Sequence, residues 1–286
     1  MATAFVENLL VPYDGNFIRV AVRVWDPEPA SATVICVHVF AGDSSDFSML
    51  AMSLAKAGLK TVALDLPGRG ASAFMADPQD YTLALMMACL AQMNRYRRGP
   101  VTFFGSGWGA TMALLYLASS HNPVSQIVLH EPLLATGKAL VEARDLLSAE
   151  ADLVFETFDQ ARSHLLARRD NLDAVPEPLR ASLIDAKIRQ HASGFVLNFD
   201  ARLMADTRQQ TEFDLEPLVA CASVPVLMVL GGSADSPFRE WIETATPRPH
   251  VSVSIDPDAG CKRPVLTRHQ CDAVAHFLRE NTKTQV

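Results

Sequence analysis

Apolar and polar positions alternate loosely along residues 4–25, and Tyr13-Asp14-Gly15-Asn16 interrupts the alternation. An Asp-Gly pair between two alternating runs predicts a β-hairpin. The pattern then changes. Ala32-Thr-Val-Ile-Cys-Val-His38 is a short apolar run rich in β-branched residues, as expected of a strand buried on both faces. Phe47, Leu50, Leu54 and Ala57 follow at helical spacing, with Ser45 or Asp46 as the capping residue and Gly58 placed to end the helix. Beyond it the pattern predicts a strand at Lys60–Leu66, a helix at Asp80–Tyr96 and a strand at Val101–Phe104. A helix at Trp108–Ser119 and a strand at Gln126–His130 come next. Strands alternating with amphipathic helices imply an α/β fold with a mostly parallel central sheet and helices on both faces.

From about Thr136 to Glu212 the strand signal disappears, and Ala, Leu, Arg and Asp follow a helical pattern broken at Pro176 and Pro178. Strand patterns return at Val224–Leu230 and His250–Ile255, before a last amphipathic helix at Arg268–Glu280. A helical block inserted between two strands of one sheet predicts an inserted cap. The expected organisation is a core of residues 1–135 and 213–286 carrying a helical cap or lid of residues 136–212.

Composition narrows the function classes. The chain has 286 residues, 49% of them hydrophobic, which suits one large domain with an insertion better than two independent ones. Its 25 basic and 32 acidic residues leave a formal charge of −7, and no Lys/Arg run is long enough to track a phosphate backbone. Arg95-Tyr96-Arg97-Arg98 reads as a solvated helix end, so no nucleic-acid partner is expected. Cys36, Cys89, Cys221, Cys261 and Cys271 show neither a CxxC pair nor metal-ligand spacing. Their odd number argues for a reducing compartment, and neither a metal nor a cofactor is expected. The N-terminus lacks the pattern of a signal peptide, and no window reaches the roughly 18 apolar residues of a membrane span. A cytoplasmic protein with a small-molecule ligand or substrate and no membrane role is the expectation.

The residues that carry chemistry begin at Phe103-Phe104-Gly105-Ser106-Gly107-Trp108-Gly109-Ala110, on a strand-to-helix junction. This stretch resembles the nucleophile elbow of the α/β-hydrolase superfamily, most of all that of capped esterases, epoxide hydrolases and dehalogenases. Four further stretches agree in order and spacing. His38-Val39-Phe40-Ala41-Gly42 is similar to the family's oxyanion loop, with Val39 in place of a glycine. Asp65-Leu66-Pro67-Gly68-Arg69-Gly70-Ala71-Ser72 is a near-complete copy of the family's Asp-x-Pro-Gly-x-Gly-x-Ser turn. Gly231-Gly232-Ser233-Ala234-Asp235 matches the loop that carries the triad acid, and Ala259-Gly260-Cys261 stands where the family has Gly-His.

The resemblance also marks two departures. The nucleophile position is Gly107 and the histidine position is Cys261, so only Asp235 keeps its triad place. Loss of one triad member alone costs orders of magnitude in rate. Glycine also relaxes a backbone that is strained by about 1–3 kcal/mol when it carries a side chain. Several neighbours have both a functional and a plain structural reading. Ser106 is a shifted nucleophile or a side chain aimed elsewhere by its one-residue offset. Cys261 is a thiol disfavoured as thiolate by Asp235, or a small packed residue. His38 is a base or a packing residue of its loop. His130, beside Glu131 at a strand's carboxyl end, is a pocket residue or a packed one. His269 and His276 are expected at the surface. The resemblance implies that the backbone N–H groups of Phe40 and Trp108 form an oxyanion hole, which depends on loop shape alone. Among the cap's apolar side chains, Leu146, Leu147, Phe155, Phe158, Phe195, Phe199 and Met204, most should pack helices and a few should line an apolar cavity.

Three functions fit. The first is a binder of a small, largely apolar molecule under the cap, without serine hydrolysis. The second is a non-covalent enzyme (lyase, isomerase, cyclase or cofactor-free oxygenase) that reuses the oxyanion hole with His38, His130 or Asp235 as base. The third is a hydrolase with rearranged groups. The family resembled makes a homodimer one of the expected assemblies.

Overall fold

A computed structural model of the chain describes residues 4–119, 122–132, 148–204, 216–232, 248–260 and 265–283. β1 (Ala4–Tyr13) and β2 (Asn16–Trp25) pair antiparallel around Asp14 and Gly15, both at positive φ, which is the hairpin the Asp-Gly pair predicts. β3 (Ala32–Val37), β4 (Leu59–Leu64), β5 (Val101–Ser106) and β6 (Val124–His130) follow. β7 (Ile188–His191) and β8 (Gly194–Leu197) precede β9 (Val226–Gly231) and β10 (Val251–Asp256). The main sheet has the order β1-β2-β4-β3-β5-β6-β9-β10. β2 meets β4 antiparallel, and every later neighbour pair is parallel. β3, β4, β5 and β9 are buried along their whole length, which explains why they read as mostly apolar runs rather than as alternation.

The helices are α1 (Ser48–Lys56), α2 (Leu83–Gln92), α3 (Trp108–Leu117), α4 (Phe158–Leu166), α5 (Leu179–Asp185), α6 (Glu216–Ala220) and α7 (Arg268–Lys283). One face of the sheet packs against α2, α3 and α6, and the other against α1 and α7. Two predicted helix starts shift. Ser44–Phe47 forms a 3₁₀ turn before α1, so the capping residue is Asp43 and neither Ser45 nor Asp46. Its carboxylate accepts the Ser45 N–H at 2.8 Å, while the Asp46 carboxylate accepts the Asp43 N–H at 3.2 Å. The helix expected from Asp80 begins at Leu83, capped by Thr82, with separate 3₁₀ turns at Pro78–Asp80 and Met93–Tyr96.

Residues 148–204, between β6 and α6, correct the expectation of a purely helical insert. Beside α4 and α5 they hold the antiparallel β7–β8 hairpin. Phe155 extends it, exchanging two 2.8 Å backbone bonds with Phe195. Strands of four residues are too short to show a period of two, and a partner distant in sequence completes them. The insert has its own buried cluster, including Ala161, Leu165, Leu183, Ile184 and Phe199, continuous with Phe40 and Val265 of the core. It rests on the loops that follow β3 and β4. The Asp200 N–H donates to Gly68 O at 2.8 Å, and the Gly70 N–H to Asn198 O at 3.3 Å. Leu146 and Leu147 lie outside the described residues, as does the side chain of Met204. Among the described residues no helix is long and apolar enough to cross a membrane.

Candidate functional site

The parallel register of β5 and β6 sets Ser106 opposite His130. The chain then reverses at Gly107, with φ 54° and ψ −118°, and α3 starts at Trp108. The Gly107 N–H donates to His130 O at 2.8 Å, and the Gly107 carbonyl accepts the Ala110 N–H at 3.0 Å. This positive φ strains any residue with a Cβ. A Cβ placed on Gly107 would also lie 3.1 Å from Val39 Cγ1. Val39 therefore fills the space in front of the turn. At Gly109 a Cβ would come within 2.1 Å of Val37 O, so α3 sits directly on the β3 backbone only because that position is glycine. The strand-turn-helix predicted from the glycine spacing is present, and Gly107 stands at its tip.

Behind the turn, on the α1 and α7 side, Ser106 Oγ lies 2.8 Å from His130 Nδ1. Both residues are buried, and burial pulls the His130 imidazole down to about 4. It is neutral at neutral pH, and its Nε2 has no partner among the described residues. The pair borders a cavity of about 10 Å³, shared with His38, Val39, Asp46 and Arg169. That is the room of one water molecule. His38 is fully committed to its surroundings. The Leu66 N–H donates to its Nε2 at 3.0 Å, which leaves the ring proton on Nδ1 to bond Val39 O at 2.6 Å. Burial lowers its pKa to about 4 as well.

In front of the turn, Phe40 and Trp108 meet edge to face, with ring centroids 5.6 Å apart. Neither backbone N–H has an acceptor among the described residues. Against both rings lies Arg69, whose guanidinium carbon is 4.7 Å from the Phe40 ring centroid and 5.4 Å from that of Trp108. Arg69 is 1% exposed. Its Nε donates to Phe40 O and its Nη1 to Pro67 O, both at 2.8 Å. The turn that presents it is held from below. Asp65 accepts the Ser44 N–H at 2.6 Å and the Ala71 N–H at 2.8 Å, and Ser72 Oγ accepts the Ala21 N–H at 2.8 Å. The Asp and Ser of this motif are thus structural staples, and the residue they expose to the insert is Arg69.

Two cations of the insert reach into the core. Lys187 Nζ lies 2.6 Å from Asp43 Oδ1 and 3.1 Å from Asp46 Oδ1. Arg169 Nη2 lies 2.9 Å from the same Asp46 oxygen. Burial opposes the Asp46 charge, but Arg169 and Lys187 overcome it and hold the carboxyl well below the usual range. Asn171 closes the other side, accepting the Gly260 N–H at 2.9 Å and donating to Val265 O at 3.1 Å. Next to His130, Glu131 takes φ 44° and accepts the Gly231 N–H at Oε1. Burial pushes its carboxyl up to about 7, and Oε2 has no partner among the described residues.

This ordered sheet, with its sharp turn after β5 and its insert over the carboxyl edge, agrees with the family comparison. Residues 32–232 match the model of the alpha/beta hydrolase fold. The chain belongs to that family. Solved structures agree over almost the whole α/β-hydrolase chain. The thioesterase domain from the curacin biosynthetic pathway is 19% identical with a TM-score of 0.69, covering 97% of this chain and 99% of that one. An α/β hydrolase from Novosphingobium aromaticivorans is 18% identical with a TM-score of 0.74, covering 98% and 99%. E-2-(acetamidomethylene)succinate hydrolase is 21% identical with a TM-score of 0.70, covering 96% and 100%. At these identities the likeness carries the fold alone. A search of curated proteins finds no match.

In this α/β-hydrolase-fold chain, then, the predicted site residues divide. Ser106, His130 and His38 gather behind the elbow around the small cavity, whereas Phe40, Gly107 and Trp108 flank its front. Asp235 and Cys261 lie outside the described residues. Arg69, Arg169 and Lys187 were not anticipated. Arg69 was in view as the variable position of a recognised turn, but nothing in its spacing told that it would be buried against two aromatic rings. Arg169 and Lys187 carry no sequence signal, because their acidic partners are far away along the chain.

Proposed function

We propose that this α/β-hydrolase-fold protein binds a small molecule beneath its cap without forming a covalent acyl or alkyl intermediate. The observation that carries the reading is Gly107, which offers no nucleophile at the elbow tip while Val39 Cγ1 stands 3.1 Å from where its Cβ would be. Reinstating a side chain there requires Val39 to move. The shifted-nucleophile reading has one geometric support, the 2.8 Å Ser106–His130 contact. Against it, Ser106 is 5% exposed and faces a cavity of about 10 Å³, too small for a substrate carbonyl. The non-covalent enzyme reading draws on the N–H groups of Phe40 and Trp108, which have no acceptor among the described residues and are donors able to stabilise an oxyanion. It needs a base within hydrogen-bond reach of the substrate. His38 spends both ring nitrogens on backbone, and His130 faces the interior cavity. Asp235, the third candidate base, lies outside the described residues, and with neither histidine facing the front, binding without turnover is the reading we favour.

The test is fluorophosphonate labelling and p-nitrophenyl ester hydrolysis by wild-type protein and by Ser106→Ala and Cys261→Ala. No labelling and no turnover from folded protein is expected. Activity that disappears in either variant would return the hydrolase reading to first place. Activity retained by both variants would point to a nucleophile elsewhere and equally defeat the binder reading.

A further inference from the structure

Three buried cations meet where the insert lies on the core. Two of them are neutralised: Lys187 by Asp43 and Asp46, and Arg169 by Asp46. The third, Arg69, has no carboxylate within ion-pair distance among the described residues. The acidic groups that bear on it are Tyr81 and then Asp200, whose carboxylate already accepts from Tyr81 Oη at 2.6 Å and from Arg202 Nη2 at 2.7 Å. Two carbonyls and the faces of Phe40 and Trp108 stabilise the guanidinium without cancelling its charge. Burial lowers its pKa to about 10, so the group remains a cation at neutral pH. Buried charges are ordinarily paired, because an uncompensated one loses its hydration. Arg69 Nη2 makes no hydrogen bond to a described residue. It belongs to a guanidinium pressed against the two residues whose backbone N–H groups also lack an acceptor among the described residues.

We propose that Arg69 anchors an anionic group of the ligand, a carboxylate, with the remainder of that ligand apolar. The inference rests on the reading of the space beneath the cap as a ligand site, and it names the class of molecule that site takes. Arg69 offers the ligand a charge that no carboxylate among the described residues pairs, and Phe40 and Trp108 provide the aromatic wall beside it. An amide of the same shape forfeits the charge-assisted bond. No covalent step is involved.

The experiment compares matched pairs, each acid with its primary amide, by calorimetry and thermal shift. The acids run from acetate to dodecanoate and from benzoate to phenylbutyrate. Wild-type protein is expected to bind at least one acid about tenfold or more tightly than its amide, with affinity that falls as salt is raised. Arg69→Met should erase the preference for the acid, and Arg69→Lys should restore part of it. Lys187→Met, which removes a cation already paired, should leave the preference intact. Should Arg69→Met fail to fold, the acid-to-amide ratio and its salt dependence in wild-type protein still decide the matter. Acid and amide binding equally to wild-type protein would overturn the anchor while leaving a ligand site in place. A preference for the acid that survives in folded Arg69→Met would overturn it too. If no acid or amide binds, the ligand-site reading falls and the anchor falls with it.

Discussion

The two sides of the turn at Gly107 handle polar groups differently. Behind it Asp43, Asp46, Arg169 and Lys187 form ion pairs, and Ser106 and His38 bond His130 and the backbone, all at 2.6–3.1 Å. Arg169 Nη1, His130 Nε2 and Glu131 Oε2 have no partner among the described residues. The one cavity described there is no larger than a water. In front of it one nitrogen of Arg69 and the N–H groups of Phe40 and Trp108 have no acceptor among the described residues and lie beside aromatic rings. The rear is dominated by ion pairs and bonds to the backbone, and the front by a guanidinium and two N–H groups set against aromatic rings. Gly107 and Val39 separate the two. Val39 supplies side-chain volume opposite a turn whose tip, Gly107, carries none.

The largest effect should come from the rear. Asp46→Asn keeps the shape but leaves Arg169 without a counter-charge, and should cost about 3 kcal/mol in urea unfolding at neutral pH. Asp46 is depressed in the folded state, so its contribution is full above the ordinary carboxylate pKa of about 4 and fades as pH falls. The deficit of the variant should shrink in acid. A deficit that stayed constant would mean that the ion pairs do not hold the insert.

Glu131 works in the opposite direction. Its folded pKa is raised to about 7, so the folded state keeps a proton that the unfolded chain releases from about 4.5 upward. Stability should fall as pH climbs through that window, and Glu131→Gln should remove the fall. The variant should gain about 2 kcal/mol relative to wild type on going from about pH 5 to about pH 8. Parallel unfolding curves for the two proteins would show that the carboxyl is not held protonated.

At the boundary itself, Gly107→Ser should lose about 1–2 kcal/mol, from backbone strain and contact with Val39. Adding Val39→Gly should return the contact part and leave the strain part. Additive single effects would show that Val39 does not occupy the nucleophile's space. With Cys261→His as well, weak p-nitrophenyl esterase activity is expected if Asp235 is the surviving acid. The smallest change is Ser106→Ala, about 1 kcal/mol for one buried hydrogen bond to His130. It should leave ligand binding untouched, and altered ligand affinity in this variant would merge the two sides that the structure keeps apart.

The order of strands and helices was legible in the chain because each buried parallel strand is a local apolar run, and each covering helix repeats on its own period. The elbow was legible because Gly105, Gly107 and Gly109 recur at a fixed local spacing, although the contacts that demand Gly107 and Gly109 come from Val39 and the β3 backbone. The β7–β8 hairpin was not, because Phe155 completes it from outside its own sequence window. Nor was the division of the polar residues. Which face of the sheet receives His130 depends on the register of β5 against β6. Whether a buried arginine finds a carboxylate depends on segments brought together across the chain, as Arg169 meets Asp46. Sequence alone therefore determined the architecture and the missing side chain at position 107. Tertiary structure decided which polar groups are spent on the fold and which are left free, because electrostatic pairing is settled by distance in space and not by distance along the chain.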